Sequence, residues 1–315
     1  MSYLVTGGTG LWGTYVTRLL VQEGAKVVIF QRNPVENRIS DLLEKHEGES
    51  IEIVRGDIQD LAHLIRTAKE HKVNRIIHLA SLLTPACAAN PLMATQVNCV
   101  GTINVFETAR ILGVEKVVWA SSGKVFGPPE KYEQEYIPDD APHHPVDVYA
   151  ACKSFNEEIA KHYFTQYGVD IIGLRPGLVY SSAQTGGGGN ATVIELIVKP
   201  ALGQPGTITM RNGLINWQFA EDAARAAIMA SKTAKTKTRV FNVNGDMRTM
   251  AEAVDCVRKL IPDAKFTVLP ASPGTTRGSQ KRDGMRAKEE IGYEPKWTME
   301  QGIEQTIRDI RAGMV

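Results

Sequence analysis

Short apolar runs rich in β-branched residues alternate with longer stretches of helical periodicity from the start of the chain to about residue 175. The runs are YLVTG, KVVIF, IEIV, RIIHLA, KVVWAS and VDIIGLRP. Alternation of this kind is typical of βαβ units, because a parallel pair of strands needs a long crossover connection, usually a helix. We therefore predict an α/β fold with a doubly wound parallel sheet and helices on both faces.

The pattern becomes irregular after Pro176. Short β-rich runs, GTITM, RVFNVNG and KFTVLP, are separated by helical patterns near residues 249–261, 284–291 and 298–312. We predict a first domain at residues 1–175 and a smaller part at residues 176–315, some of whose segments return to the first domain.

The composition limits the partners that such a chain can have. Of its 315 residues, 43% are hydrophobic and 23% are charged, and the formal net charge is +1, which argues against a nucleic-acid partner. No apolar run approaches the roughly 18 residues of a membrane span, and the first residues lack a targeting segment, so we expect a cytoplasmic protein without a membrane partner. The four cysteines have no CxxC spacing and predict neither disulfides nor a metal site: Cys87, Cys99, Cys152 and Cys256.

A glycine-rich loop, VTGGTGLWG, follows the first predicted strand and opens a helix. It places Gly7, Gly10 and Gly13 in a GxxGxxG spacing. Glycine lets the backbone turn tightly and approach a pyrophosphate, and the start of a helix favours negative charge. In this βαβ context the loop predicts a dinucleotide site in a Rossmann domain.

The end of the second strand bears on the identity of the dinucleotide. An acidic residue usually stands there to bind the ribose 2′-hydroxyl of NAD, whereas this chain reads VVIFQRNP. Gln31 and Arg32 offer no carboxylate, and a guanidinium can bind a 2′-phosphate. The sequence therefore favours NADP over NAD; the alternative is that Arg32 is a solvated arginine at a strand end.

The segment YAACK places Tyr149 and Lys153 four residues apart on one side of a predicted helix. An apolar set with helical spacing predicts that the buried face lies next to them: Val148, Cys152, Phe155, Ile159 and Tyr163. Taken alone, such a pair is more often a solvated surface pair than a catalytic one. Motifs elsewhere in the sequence distinguish a surface pair from a catalytic pair.

The chain resembles the extended short-chain dehydrogenase/reductase family, also called NAD-dependent epimerase/dehydratases. The motifs run in the family's order over nearly the whole length: TGGTGLWG, GDIQD, IIHLAS, NCVGTIN, ASSGKVFG, YAACK, LRPGLVY and AKEEIGYEPKWTMEQGI. The chain is most similar to the short-chain L-threonine dehydrogenase-like branch, through HLASLLTPACAANP, SSGKVFGP and YGVDIIGLRPGLVYSS. This resemblance implies a Rossmann domain with a smaller, mostly C-terminal substrate-binding part.

The resemblance also implies roles for individual residues. Tyr149 is expected to be the general acid/base, Lys153 to lower its pKa and hold the nicotinamide ribose, and Ser122 to hydrogen-bond the reacting oxygen. A free phenol has a pKa of about 10, so a nearby cation favours the phenolate. The expected cofactor-binding residues are Gly7, Gly10, Leu11, Trp12, Gly13, Gln31, Arg32, Asp57, Ile58, Leu79, Ala80, Ser81, Asn98, Tyr149, Lys153, Pro176 and Leu178.

Departures from the family's patterns bear on the reaction. Gly123 and Lys124 stand where dehydratases of the family carry an Asp–Glu pair, and Ile215 stands where nucleotide-sugar enzymes carry a diphosphate-binding arginine. A GGGGNAT segment replaces the loop that binds threonine in the dehydrogenase branch. We therefore predict an NAD(P)-dependent oxidoreductase that acts on a small hydroxyl or carbonyl compound.

The expected substrate-binding residues surround the predicted catalytic set. They are Leu82, Leu83, Thr84, Ser122, Gly123, Tyr149, Gly177, Asn190, Thr192 and Trp217. The glycines at 186–189 are interpreted as a lid over the site or as an exposed loop. His143 and His144 are interpreted as part of a solvated loop, and no residue pattern predicts a metal.

Two alternative functions remain open from the sequence. One is an epimerase that oxidises and re-reduces a single carbon of a sugar or sugar nucleotide and retains its cofactor. The other is a non-catalytic sensor that binds a dinucleotide. The family also implies a homodimer, formed by apolar faces of the helices near 92–112 and 147–167.

Overall fold

The computed structural model describes residues 1–35, 50–184, 191–210, 213–270 and 281–314. The strands of the described part, in chain order, are β1 (Ser2–Thr6), β2 (Lys26–Gln31), β3 (Ile51–Arg55), β4 (Arg75–His78), β5 (Lys116–Ala120), β6 (Ile171–Arg175), β7 (Leu178–Tyr180), β8 (Gly206–Thr209), β9 (Leu214–Phe219), β10 (Val240–Asn242), β11 (Asp246–Thr249) and β12 (Phe266–Leu269).

The α-helices of the same residues are α1 (Leu11–Gln22), α2 (Leu61–Glu70), α3 (Thr84–Ala89), α4 (Pro91–Ala94), α5 (Gly101–Leu112), α6 (Val148–Tyr167), α7 (Ala191–Val193), α8 (Lys199–Ala201), α9 (Ala220–Lys232), α10 (Met250–Leu260), α11 (Met285–Ile291) and α12 (Met299–Arg311). Two π-helical segments, Thr95–Val100 and Ile194–Val198, join α4 to α5 and α7 to α8. A 3₁₀ turn, Gly123–Phe126, follows β5.

Seven parallel strands form the central sheet in the order β10-β6-β5-β4-β1-β2-β3. The chain moves outward from β1 through β2 to β3, then crosses to the other side of β1 and continues through β4, β5 and β6. Such a reversal opens a crevice at the carboxyl ends of β1 and β4, where ligands of this fold class bind. The prediction of a doubly wound α/β fold is confirmed.

Successive strand residues point alternately into two apolar layers, one on each face of the sheet. Val5 and Val118 point into the layer that α1 and α9 cover. Leu4 and Trp119 point into the opposite layer, which α2, α5 and α6 cover. A strand with both faces covered needs nearly continuous apolar sequence, which explains runs such as KVVIF.

The second part of the chain contributes a three-stranded sheet, β11-β9-β7, and a two-stranded sheet, β12-β8. It also returns to the first domain, because β10 pairs in parallel with β6 at the edge of the central sheet. Strands β7, β9 and β11 were absent from the sequence interpretation; they are short and their apolar pattern is interrupted by polar residues such as Asn216 and Gln218.

Helix α6 buries a polar side next to the face that its apolar pattern predicts. Phe155 is 45% exposed, whereas Lys153 and Glu157 are 3% and 5% exposed. Of the predicted buried face, Cys152 and Tyr163 are buried and Val148 and Ile159 are partly buried, whereas the prediction for Phe155 is wrong. Hydrogen bonds and ion pairs at the carboxyl edge of the sheet compensate the burial of the neighbouring polar side.

None of the helices in the described residues is long and apolar enough to span a bilayer.

Candidate active site

The glycine loop has the tight geometry that its sequence predicts. Gly7 has a positive φ of 75°, and a Cβ there would lie 2.9 Å from the amide nitrogen of Ala80. A Cβ on Gly13 would collide with the carbonyl oxygen of Gly7. The Gly10 amide donates to that same oxygen at 2.9 Å, which closes the loop ahead of α1. Side chains are thus excluded from two positions of the loop.

The start of α1 fits a bound pyrophosphate. The first amide groups of a helix have no intrahelical acceptor, and Gly10, the N-cap, makes no side-chain cap hydrogen bond. Gly10, Leu11 and Trp12 are partly exposed at the crevice between β1 and β4. The donors and the space that a dinucleotide phosphate requires are therefore present, which is what the sequence predicts for these residues.

Gln31 and Arg32 lie at the end of β2 beside this loop. The Gln31 side-chain oxygen accepts from the Thr9 amide at 3.0 Å, and its nitrogen donates to the carbonyl oxygen of Asn33 at 3.0 Å. Arg32 is exposed, and its nearest carboxylate is Asp57 at 3.7 Å. The guanidinium is thus held near the crevice by a weak, solvated contact rather than by a buried ion pair.

The expected adenine-side and groove residues differ in what they present. Leu79, Ala80 and Ser81 follow β4 and are partly exposed, as a groove lining requires. Ile58, by contrast, is 5% exposed and its side chain packs on Gly101 in the core. The position of Ile58 beside the adenine therefore stays a prediction, and it concerns the backbone of this residue rather than its side chain.

Asn98 connects the loop after β4 to helix α6. Its side-chain oxygen accepts from the Leu82 amide at 2.8 Å, and its side-chain nitrogen donates to the Leu82 carbonyl oxygen at 2.9 Å. Its own carbonyl oxygen accepts from Asn156 on α6 at 2.7 Å and from Thr102 at 2.7 Å. Asn98 is 1% exposed, so it acts on the site by holding these segments in place.

Ser122, Tyr149 and Lys153 meet at the carboxyl end of β5. Ser122 lies close enough to the phenol of Tyr149 to lower its pKa. The ammonium of Lys153 lies 5.5 Å from the centre of the Tyr149 ring and donates to the carbonyl oxygen of Ala120 at 2.7 Å. The structure thus brings together the three side chains to which the sequence interpretation assigns the chemistry.

The pKa of Tyr149 differs from what the family resemblance implies. Burial raises the pKa of Tyr149 to about 12, against a smaller lowering by the Ser122 hydrogen bond. Burial lowers the pKa of Lys153 to about 8, and nearby thiols and Glu157 oppose that change. The expected lowering of the Tyr149 pKa by Lys153 is absent here, because the desolvation of the phenol outweighs every other contribution.

Several of the expected substrate residues lie on segments around Ser122. Leu83, at the start of α3, is 46% exposed, and Thr84 accepts a hydrogen bond from Lys124 at 3.0 Å. Gly123 lies against the guanidinium of Arg282, which fills the space that a side chain at 123 would need. The Gly177 amide donates to Gln218 at 2.8 Å.

The remaining expected substrate residues are Trp217, Thr192 and Asn190. Trp217 is 1% exposed and stacks edge-on against Tyr180 in the core, so its assignment to the substrate site is corrected. Its neighbours on β9, Asn216 and Gln218, point to the opposite face, towards Gly177. Thr192 is partly buried at the start of the helical segment after the glycine run. Asn190 and the glycines at 186–189 lie outside the described residues.

Several polar residues near the site were not recognised from the sequence. The assignment of His143 to a solvated loop is corrected: it bonds Ser154 at 2.8 Å and lies 3.2 Å from Glu157. Arg282 donates to the carbonyl oxygens of Arg175 at 2.8 Å and Pro176 at 2.9 Å. A sequence signal existed only for Glu157, which stands four residues after Lys153 on the same helix side.

The fold and the site together define a Rossmann-type protein with a dinucleotide crevice and a Ser–Tyr–Lys set. The chain belongs to the NAD dependent epimerase/dehydratase family, whose model matches residues 3–244. This membership supports an enzyme over a non-catalytic sensor.

Individual relatives cover the whole length of the chain. The UDP-glucose 4-epimerase of Mycolicibacterium smegmatis is 30% identical over 319 residues, with 99% of each chain covered. The UDP-glucose 4-epimerase of Thermus thermophilus, solved in complex with NAD, has a TM-score of 0.83 at 25% identity and 99% coverage of both chains. A partial-consensus L-threonine 3-dehydrogenase has a TM-score of 0.85 at 21% identity, covering 99% of this chain and 100% of that one, which shows a shared fold.

Proposed function

We propose that the protein catalyses reversible hydride transfer between a nicotinamide dinucleotide and the hydroxyl-bearing carbon of a small substrate. The observation that carries this proposal is the meeting of Ser122, the Tyr149 phenol and the buried ammonium of Lys153, which lies 5.5 Å from the centre of the Tyr149 ring. A phenol so placed can take a proton from a substrate hydroxyl, or return one to a carbonyl oxygen, as hydride leaves or arrives. The bound nicotinamide would supply or accept the hydride.

The chain's own residues have distinct tasks in this proposal. Gly7 and Gly13 let the backbone approach the pyrophosphate at the start of α1. Tyr149 moves the proton at its phenol oxygen, and Ser122 orients the reacting oxygen by hydrogen bonding. Lys153 holds the nicotinamide ribose, and its positive charge favours the phenolate once the ligands exclude water from the site.

NADP is the proposed cofactor, although the solved T. thermophilus relative holds NAD. The support is Arg32, whose guanidinium is exposed and 3.7 Å from Asp57. A 2′-phosphate would offer that guanidinium a stronger, charge-assisted partner.

Epimerisation is the outcome that the relatives support. The chain is 30% identical to a UDP-glucose 4-epimerase over 99% of its length, and an epimerase uses the same proton and hydride transfers twice at one carbon. Net dehydrogenation is the second candidate. It is favoured by Ile215, which is 5% exposed and apolar where the sequence comparison expects a diphosphate-binding arginine.

A single experiment tests the proposal and separates the two outcomes. The purified protein is first examined for bound cofactor, and is then assayed with UDP-sugars, hydroxy acids, amino acids and small alcohols while absorbance at 340 nm is recorded with added NAD or NADP. An epimerase converts a UDP-sugar with no net absorbance change, whereas a dehydrogenase changes the absorbance in proportion to product. Failure of the protein to bind either dinucleotide would refute the proposal.

A further inference from the structure

A buried polar cluster lies beneath the Ser–Tyr–Lys set, centred on the carboxylate of Glu157. Glu157 is on α6, one turn beyond Lys153, and is 5% exposed. Its Oε1 accepts from the hydroxyl of Ser121 and from Arg175 Nε at 2.9 Å, and its Oε2 accepts from Arg175 Nη2 at 2.5 Å. His143 Nε2 lies 3.2 Å from the same oxygen. One carboxylate therefore connects four separate segments of the chain.

Each of these segments continues directly into the candidate site. Ser121 precedes Ser122 at the end of β5. Arg175 ends β6 and precedes Pro176, which is expected beside the nicotinamide. Since Glu157 and Lys153 are one helical turn apart, a shift of α6 at Glu157 also moves the ammonium.

The charged neighbours of Glu157 keep its carboxylate ionised. Burial by itself would raise the pKa of Glu157, but Arg175 and His143 outweigh it and lower that pKa to about 2, so the carboxylate stays ionised. Arg175 is 2% exposed, stacks on Phe126 at 4.6 Å and also donates to the carbonyl oxygen of Asp139 at 2.8 Å, while Glu157 is the carboxylate with which it pairs. Removing the carboxylate would leave a buried guanidinium without its partner.

Resting on the function proposed above, we infer that Glu157 is a positioning residue: by accepting from Ser121 and pairing with Arg175, it fixes Ser122 and Lys153 for the nicotinamide half of the cofactor. It touches neither the substrate nor the cofactor. Its effect should therefore fall on the geometry of the reacting groups and spare the pyrophosphate loop at the far side of β1.

The test compares the single variant E157Q with the double variant Glu157→Leu/Arg175→Met. The single variant keeps a hydrogen-bond acceptor at position 157 but removes the negative charge that balances Arg175, so it should be destabilised. The double variant replaces the ion pair by apolar side chains, which restores stability in other buried pairs, but it still removes the acceptor of Ser121. If Glu157 serves only stability, the double variant recovers function along with its melting temperature. If Glu157 positions the site, function stays low.

Binding supplies a readout that needs no substrate. ADP occupies only the adenosine and phosphate half of the site, whereas NADPH and NADH also reach Lys153. We expect the double variant to bind ADP within about twofold of wild type but the intact dinucleotide roughly tenfold more weakly. Where the substrate screen finds turnover, kcat should fall at least about tenfold with a smaller change in KM. Unchanged dinucleotide binding in a folded double variant overturns the inference.

Two further variants separate the possible causes of failure. Asp170→Asn weakens another ion-pair group, in which the partly buried Asp170 binds Lys116 at 2.9 Å and Arg239 at 2.8 Å, at the amino end of β5 and β6 away from the site. It should lower stability while leaving the ratio of NADPH to ADP affinity unchanged. Lys153→Met tests the proposed function itself. If that variant does not weaken dinucleotide binding relative to ADP, the role of Lys153 is wrong; if it does and the Glu157 variants do not, only the inference about Glu157 fails.

Discussion

Lys153 donates a hydrogen bond of 2.7 Å to the carbonyl oxygen of Ala120, the last residue of β5. This contact joins the helix that carries Tyr149 to the strand that leads into Ser122. It also explains how an ammonium can be 3% exposed, because a backbone oxygen satisfies one of its donors. Lys153 thus has both a structural partner and a position beside the Tyr149 ring.

Tyr149→Phe tests the proposed acid/base. The variant keeps the ring and deletes the hydroxyl, so turnover should fall by roughly a hundredfold or more while the fold survives. Circular dichroism and thermal melting check the fold, and a turnover assay checks the loss. Tyr163→Phe is the matched control, since it deletes a phenol on the same helix that bonds Glu107 at 3.0 Å, away from the site. Near-normal turnover of Tyr149→Phe would refute the mechanism.

Gly13→Ala should abolish dinucleotide binding, because the added Cβ would collide with the carbonyl oxygen of Gly7. Gly10→Ala should be milder, since its Cβ would lie 3.1 Å from the same oxygen. Fluorescence titration with NADPH and with NADH measures both variants. The ranking of the two affinities is the decisive result: if Gly10→Ala binds the dinucleotide less well than Gly13→Ala, the description of this loop is wrong.

Arg32→Ala should weaken the binding of NADP and leave that of NAD nearly unchanged. The expected loss is about tenfold, as for one charge-assisted hydrogen bond to a phosphate. Both cofactors are titrated into wild type, Arg32→Ala and Arg66→Ala, the last being an exposed arginine on α2 that controls for net charge. Tighter binding of NAD by wild type, or equal losses in the two variants, would show that Arg32 does not read the 2′-phosphate.

His78 should make the protein less stable in mild acid. Burial, with a smaller contribution from Lys153, lowers the pKa of His78 to about 3. In the unfolded chain its pKa returns to about 6.5, so between these values the unfolded state binds more protons and stability falls as pH falls. Between pH 7 and pH 5, wild type should lose of the order of 2 kcal/mol more than His78→Gln in urea unfolding. His162→Gln, an exposed histidine on α6, should behave like wild type.

The homodimer remains a prediction, and exposed apolar residues show where to test it. Val100, Ile111 and Phe155, on the π-helical segment, α5 and α6, are between 45% and 47% exposed. We expect Phe155→Glu to convert a dimer to a monomer in sedimentation velocity, because an unpaired charge is costly in an apolar interface. Leu202→Glu, at a leucine that is 54% exposed after α8, controls for surface charge. A wild-type protein that sediments only as a 34.5 kDa species at micromolar concentration would refute the dimer.

The sequence predicts the central sheet well, because buried parallel strands must be continuously apolar and, in the described part of the chain, helices separate β1 from β2, β3 from β4, β4 from β5 and β5 from β6. It also predicts which residues surround Tyr149, since the motifs occur in a fixed order along the chain. It fails for the polar side of α6. The amphipathic rule assigns apolar residues to the core, yet Glu157 and Lys153 are buried because distant partners, Arg175 and Ala120, satisfy them. Long-range compensation of this kind leaves no periodic signal.

Two residues were misassigned although the positions of their segments were predicted correctly. Trp217 was assigned to the substrate site because it lies in a segment that family members use, but alternation along β9 turns it into the core and turns Gln218 towards Gly177. His143 appeared to belong to a solvated loop because its partners, Ser154 and Glu157, belong to a helix that begins several residues later. Both errors concern the direction of a side chain rather than the position of its segment.

The π-helical turns at Thr95–Val100 limit the insertions and deletions that this part of the sequence can accept. Within them, the Asn98 carbonyl oxygen accepts side-chain hydrogen bonds from Asn156 and Thr102, so main-chain geometry, and not only a side chain, attaches α6 to its neighbour. One inserted residue distinguishes a widened turn from a regular one. A single deletion in this segment would convert its widened turn into a regular one and move the Asn98 carbonyl oxygen away from Asn156. The length of this segment is therefore under stricter constraint than the identity of most of its residues.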